Sequence, residues 1–129
     1  MEWDIHLEAS TRLVVIQVTG TIKAGPLRQM TLELREAIQQ HQSKQVLLDY
    51  TEAVSGLQPY EIFERPKVLQ ELNFPSDVKV AVLYRVLNED TQFLENVYRN
   101  KSFPVRVFSD RGLGLQWLAN ADVAGEARL

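Results

Sequence analysis

Few side chains in this sequence have the types and spacing to do chemistry. Ser55 sits in Val54-Ser55-Gly56-Leu57. A phosphate on its hydroxyl would bring roughly −2 of charge and three acceptor oxygens close to a helix N-terminus, where the helix dipole favours anions. Unmodified, the same serine serves as a turn or cap residue. Asp49, Tyr50 and Thr51 follow one apolar run, Tyr84, Arg85 and Asn88 a second, and Ser109 and Asp110 a third. If those runs are parallel strands, these residues gather at their carboxyl ends, where open α/β sheets bind ligands. Arg85 beside Tyr84 would then hold an anion. The plainer role for the same residues is strand-end and helix-end capping.

Other constellations fall short of a reaction. Glu61 and Glu64 share a helical face, and paired carboxylates do acid–base work only when their pKa values are driven apart. On a polar helix they read as a solvated face. His6 and His41 have no partner at metal-ligand spacing, and there is no Ser-His-Asp order with a nucleophile elbow. Gly112-Leu113-Gly114-Leu115-Gln116-Trp117 imitates the start of a dinucleotide fingerprint, but Trp117 replaces the third glycine and too few residues follow for a βαβ unit. The expectation is therefore a non-enzymatic protein with no catalytic residue, metal site or cofactor.

Composition narrows the partners. A net charge of −3 supplies no basic field for nucleic acid or anionic membrane. The absence of cysteine excludes disulfides, thiolate metal sites and a cysteine nucleophile, and it fits a reducing compartment. The longest apolar stretch near the start, Leu13 to Val18, is far short of the roughly 20 residues that span a bilayer, and the acidic start Met1-Glu2-Trp3-Asp4 lacks a signal-type run. A cytoplasmic, soluble protein with no membrane insertion is expected. At 129 residues the chain reads as one domain, 1–129.

The elements that position these residues follow from periodicity. Trp3, Ile5 and Leu7 alternate with charged residues, as in a half-buried strand. Leu13 to Val18 is β-branched and more central, and Gly20 ends it. Gly25-Pro26 starts a helix whose inward face is Leu27, Met30, Leu34, Ala37, Ile38 and His41. Val46-Leu47-Leu48 is a strand that empties into a loop at Asp49-Tyr50-Thr51-Glu52. From Pro59 to Phe74 the pattern is helical but interrupted by Pro66. Two short helices, about 59–65 and 66–72, or one kinked helix are expected there, with Tyr60, Phe63, Val68, Leu69 and Leu72 inward. Val78 to Val86 is an apolar run suited to a strand covered on both faces. Asn88 caps a helix with Phe93, Leu94, Val97 and Tyr98 buried. Val105 to Phe108 is a short strand. Ser109 or Asp110 caps a last helix bearing Leu113, Leu115, Trp117 and Leu118, and residues 120–129 form a frayed tail. The order ββαβαβαβα gives an α/β fold: a mixed sheet of about five strands, an N-terminal hairpin then parallel strands, with four to five helices.

This order, with several short motifs in it, resembles the STAS superfamily and its SpoIIAA-like branch. Gly20-Thr21-Ile22 resembles the glycine-led end of the second strand in such domains. Val46-Leu47-Leu48-Asp49 resembles the third strand with its terminal Asp, and Ser55-Gly56-Leu57 the start of the following helix. Lys79 to Tyr84 resembles the fourth strand. Phe108-Ser109-Asp110 with Trp117-Leu118 resembles the ending. The resemblance implies a regulatory or protein-interaction module, similar to the anti-sigma-factor antagonists of bacteria, without chemistry of its own. It makes Ser55 the phosphorylation candidate, although Val54 stands where an Asp and a second serine are usual. It implies a homodimer and a protein partner. The branch is also similar in fold to lipid-transfer domains, which implies as the alternative a lipid or small apolar ligand between the proline-broken helix and the sheet. For that site the candidates are Asp49, Tyr50, Thr51, Tyr60, Phe63, Tyr84, Arg85, Asn88 and Ser109.

Overall fold

Residues 1–120 are described by a computed structural model. In chain order the elements are β1 (Glu2–Glu8), β2 (Leu13–Ile22), α1 (Ala24–His41), β3 (Gln45–Ser55), α2 (Pro59–Glu71), β4 (Lys79–Leu83), α3 (Glu89–Asn100), β5 (Val105–Phe108) and α4 (Arg111–Ala119). This is the order ββαβαβαβα, a five-stranded mixed sheet with four helices. The strands lie side by side in the order β1-β2-β3-β4-β5. The first pair is an antiparallel hairpin, in register from Glu2 opposite Thr19 to Glu8 opposite Leu13. Every later pairing is parallel. The frayed tail expected from 120 onward lies, beyond Asn120, outside the described residues.

Side-chain alternation sorts the sheet into two faces. Val14, Ile16 and Val18, with Val46, Leu48 and Tyr50, then Val80 and Val82, point to one face and pack with α1, α2 and α3. Leu13, Val15, Leu47, Ala81 and Leu83 point to the other and pack with Trp117 and Leu118 of α4. On β1, Trp3, Ile5 and Leu7 turn towards the first core, while Glu2, Asp4, His6 and Glu8 are exposed. Three helices thus cover one face of the sheet, and one nine-residue helix covers part of the other.

Two strands run past the boundaries that composition set. β2 continues through Gly20, whose φ of +86° is open to glycine but strained for other residues. β3 continues through Asp49-Tyr50-Thr51-Glu52 to Ser55, so the expected exit loop is strand. The polar residues are accommodated by a bulge: Gln17 pairs with Asp49 and Thr19 with Glu52, leaving one extra residue on β3. Asp49 Oδ1 accepts the Thr51 amide at 2.9 Å and the Thr51 hydroxyl at 2.6 Å within that irregularity. A local side-chain acceptor thus satisfies the bulge and lets the strand continue. β4, in contrast, is shorter than its apolar run, and Val86 beyond it is 67% exposed.

Pro66 does not divide its segment. α2 is one helix from Pro59 to Glu71 with Pro66 inside it. Its first turn is closed by the Glu61 amide donating to the Gln58 carbonyl at 2.9 Å, while Glu61 Oε1 accepts the Gln58 amide at 2.8 Å. Its buried face is Ile62, Arg65, Pro66 and Leu69, so Tyr60 and Phe63 point outward, 64% and 66% exposed, against expectation. The reason is register: the apolar stripe is carried at i, i+3, i+4 and i+7 from Ile62, and Arg65 occupies one of its positions. The same correction applies to Phe93, which is exposed rather than buried. In α3 the buried positions are Thr91, Glu95 and Val97.

Candidate functional site

The sequence candidates do converge on the carboxyl ends of β3 and β4, but they divide between the two faces of the sheet and many are engaged in holding the fold. Asp49 is buried on the α4 side. It is tied to Thr51 and stands 3.9 Å from Arg111 Nη1. Tyr50 is buried on the opposite side and meets Tyr84 edge-to-face, ring centroids 5.6 Å apart. Arg85 is exposed and pairs with Glu52 at 3.3 Å across the strand ends. Asn88 caps α3, accepting the Thr91 amide at 3.0 Å. The last helix is capped by Asp110, which accepts the Leu113 amide at 3.0 Å, while Ser109 is exposed. Ser55 closes β3 with an exposed hydroxyl, whose oxygen accepts the Leu57 amide at 3.3 Å.

The end of the molecule where these residues lie has a second character. The exposed large apolar side chains among the described residues are Val54, Tyr60, Phe63, Val86, Leu87, Phe93 and Leu113. Val54 is at the end of β3, Tyr60 and Phe63 in the first half of α2, Val86 and Leu87 between β4 and α3, Phe93 in the first half of α3, and Leu113 in the first turns of α4. All seven therefore belong to the carboxyl ends of the strands or the amino-terminal halves of the helices that follow. Scattered apolar residues need no explanation, but a set confined to one end does.

Beneath that end, between α1, α2, α3 and the sheet, is a cavity of about 50 Å³. Leu27, Met30, Leu34, Leu69 and Val82 are among its apolar walls, with Thr31, Tyr50, Arg65 and Tyr98 as its polar residues. Arg65 is the functional candidate that sequence reasoning passed over. Its Nε donates to the Tyr98 hydroxyl at 3.2 Å, and its Nη2 to the Thr31 hydroxyl at 2.8 Å. Thr31 in turn donates to the Leu27 carbonyl at 2.7 Å. The side chain thereby links α2 to α1 and α3. Burial pushes the Tyr50 hydroxyl well above the ordinary tyrosine range, with Tyr98 adding to the rise and Arg65 opposing it. Burial also raises Tyr84, with contributions from Tyr50 and Tyr98. The signal for Arg65 was a cation at the i+3 position from Ile62 and the i−4 position from Leu69, in the middle of an apolar stripe.

His6 and His41 both line a separate cleft between β1 and α1, with Glu33 and Glu36. Among the described residues no group of three or more His, Asp or Glu side chains is placed to hold a metal ion. No helix among them is long and apolar enough to cross a membrane.

No protein-family model matches the sequence, and no curated protein matches it. The similarity is in three dimensions. An uncharacterised protein of the DUF3478 family from Shewanella loihica PV-4, with a SpoIIAA-like fold, matches at a TM-score of 0.61 and 18% identity, over 91% of this chain and 94% of that one. This chain has the SpoIIAA-like fold. The anti-sigma factor antagonist SpoIIAA in its unphosphorylated form matches at a TM-score of 0.51 and 10% identity, over 92% of this chain and 100% of that one. At such identities the likeness is one of fold.

Proposed function

We propose that this chain is a non-enzymatic regulatory module, acting as one cytoplasmic domain that binds a protein partner through the carboxyl end of its sheet. The observation that carries the reading is the confinement of the seven exposed apolar side chains to that end. A protein partner covers such side chains at the centre of an interface, with polar residues at the rim. Ser55, exposed next to Val54, occupies the same end. A phosphate there would set charge and its hydration against an apolar contact, which weakens binding. The reading draws support from the fold shared with SpoIIAA, an anti-sigma factor antagonist.

The test compares wild type with a Phe63→Asp/Val86→Asp double variant, and with Glu8→Lys at the far end as control. Wild type and Glu8→Lys are expected to hold a protein partner at fixed stoichiometry in native mass spectrometry, and the double variant to lose it. Equal binding by all three overturns the reading. If the same face instead closes a homodimer, isolated wild type sediments as a dimer and the double variant as a monomer. For the switch, Ser55→Asp is expected to bind more weakly than Ser55→Ala. Identical binding by wild type and both variants removes Ser55 from the account.

A further inference from the structure

Arg65 is a permanent cation with no neutral form available near neutral pH. Only 6% of its surface is exposed. No carboxylate among the described residues forms an ion pair with it. Both of its hydrogen bonds go to neutral hydroxyls, so it uses two of the five N–H donors of a guanidinium. An ion withdrawn from water without a counter-ion is strongly unfavourable, and an arrangement of this kind persists when something else compensates the charge.

A second buried donor stands in the same cavity. Tyr50 is also 6% exposed, and among the described residues its hydroxyl makes no hydrogen bond. It lies within electrostatic reach of Arg65 and Tyr98. The rest of the cavity wall is mainly aliphatic. Two donors with spare capacity, neither of them sealed away from a water-sized space, face one apolar cavity and match a ligand with two acceptor oxygens and a short hydrocarbon tail. The volume, about 50 Å³, limits the size. One water takes roughly 10–15 Å³ of such space, so the cavity admits a few heavy atoms rather than a lipid chain. Arg65 also lines an outer groove with Arg28, Leu57 and Tyr60. Glu61 and Glu64 line that groove too, Glu61 being occupied by the Gln58 amide.

We propose that this cavity is a binding site for a short-chain monocarboxylate, with its two oxygens on the Arg65 guanidinium and the Tyr50 hydroxyl and its tail among Leu34, Leu69 and Val82. The site is separate from the exposed apolar face, so it stands or falls independently of the partner reading above. Binding would supply the missing counter-ion and fasten α2 against α1 and α3.

The test titrates the whole protein with butyrate, butyramide and laurate, following the Arg65 Nε–H resonance by ¹H–¹⁵N NMR and the melting temperature. Butyrate is expected to shift the resonance saturably and to raise the melting temperature. Butyramide, which has the same tail and no charge, is expected to do neither. Arg65→Gln is expected to weaken butyrate binding roughly 10- to 100-fold, the range for a hydrogen bond to a charged group. Should Arg65→Gln fail to fold, Val82→Ile keeps the cation and fills the cavity, and it is expected to weaken butyrate as well. Equal responses to butyrate and butyramide, no response to butyrate, or butyrate binding unchanged in either variant overturns the proposal. Preference for laurate over butyrate overturns the size assigned to the ligand.

Discussion

Glu95 is a buried acid whose removal has a calculable cost. It lies on α3, and its Oε2 accepts the Val107 amide of β5 at 2.7 Å. β5 is a sheet edge of four residues, and this bond uses an amide that no further strand can pair. A hydrogen bond to a charged group contributes about 1.5–3 kcal/mol. Val107 is only half-buried, so water takes over part of the bond in Glu95→Ala, and the expected loss is about 2 kcal/mol. Glu95→Gln keeps an acceptor but not the charge. Neutral bonds are roughly half as strong, so about 1 kcal/mol is expected. The ion pair with Arg99, 3.8 Å away at i+4, is partly exposed and contributes only about 0.3–0.5 kcal/mol, which Arg99→Ala isolates. Equilibrium urea unfolding at constant m reads these values, and amide exchange at Val107 should quicken in the order wild type, Gln, Ala. If Glu95→Ala matches wild type in both measurements, the edge strand is held by something else and the reasoning fails.

Three further outcomes are expected. Asn88→Ala removes the acceptor for the Thr91 amide and should cost about 1 kcal/mol, lowering the calorimetric melting temperature by roughly 4 °C. Gly56→Ala places a Cβ 2.7 Å from Thr21 Cγ2 and 2.8 Å from the Ile22 carbonyl oxygen. The threonine can turn away but the backbone oxygen cannot, so urea unfolding should show a loss of about 1–3 kcal/mol. Tyr50 and Tyr84 have pKa values raised by burial above the unfolded value of about 10. Their contribution is intact below that pH and is lost as pH rises further, because the unfolded chain gives up those protons first. An alkaline titration at 295 nm should therefore show these two phenolates appearing together with loss of the circular dichroism signal. Their ionisation in a protein that is still folded would contradict the buried placement.

Caps and strand cores were legible because they obey local rules. Asn88 before Glu89-Asp90, and the pair Ser109-Asp110 of which Asp110 proves to be the cap of the last helix, are read from side chains that reach only three residues. The alternation in β1 is equally local. What was not legible depended on neighbours in space. Asp49 to Glu52 looks like a loop in one dimension, and becomes strand because β2 pairs alongside it and Asp49 satisfies the bulge. Tyr60 and Phe63 look like core, and are outside because the cap at Gln58 sets the register and Ile62, Arg65 and Leu69 take the buried positions. Arg65 was invisible as a candidate because a charge is assigned to the surface unless something draws it inward. Here the hydroxyls of Thr31 and Tyr98, 34 and 33 residues away in sequence, do so.

The sequential strand order has a consequence for how the molecule is made. Each strand pairs only with its immediate predecessor and successor in the chain. A growing polypeptide can therefore add strands one at a time as they emerge, each against a partner already present, without waiting for a distant segment. The hairpin comes first and β5 last. The final strand docks on a formed scaffold through Leu83 and its neighbours on one side and Glu95 on the other. It can also detach first, which makes this edge the place where unfolding should begin.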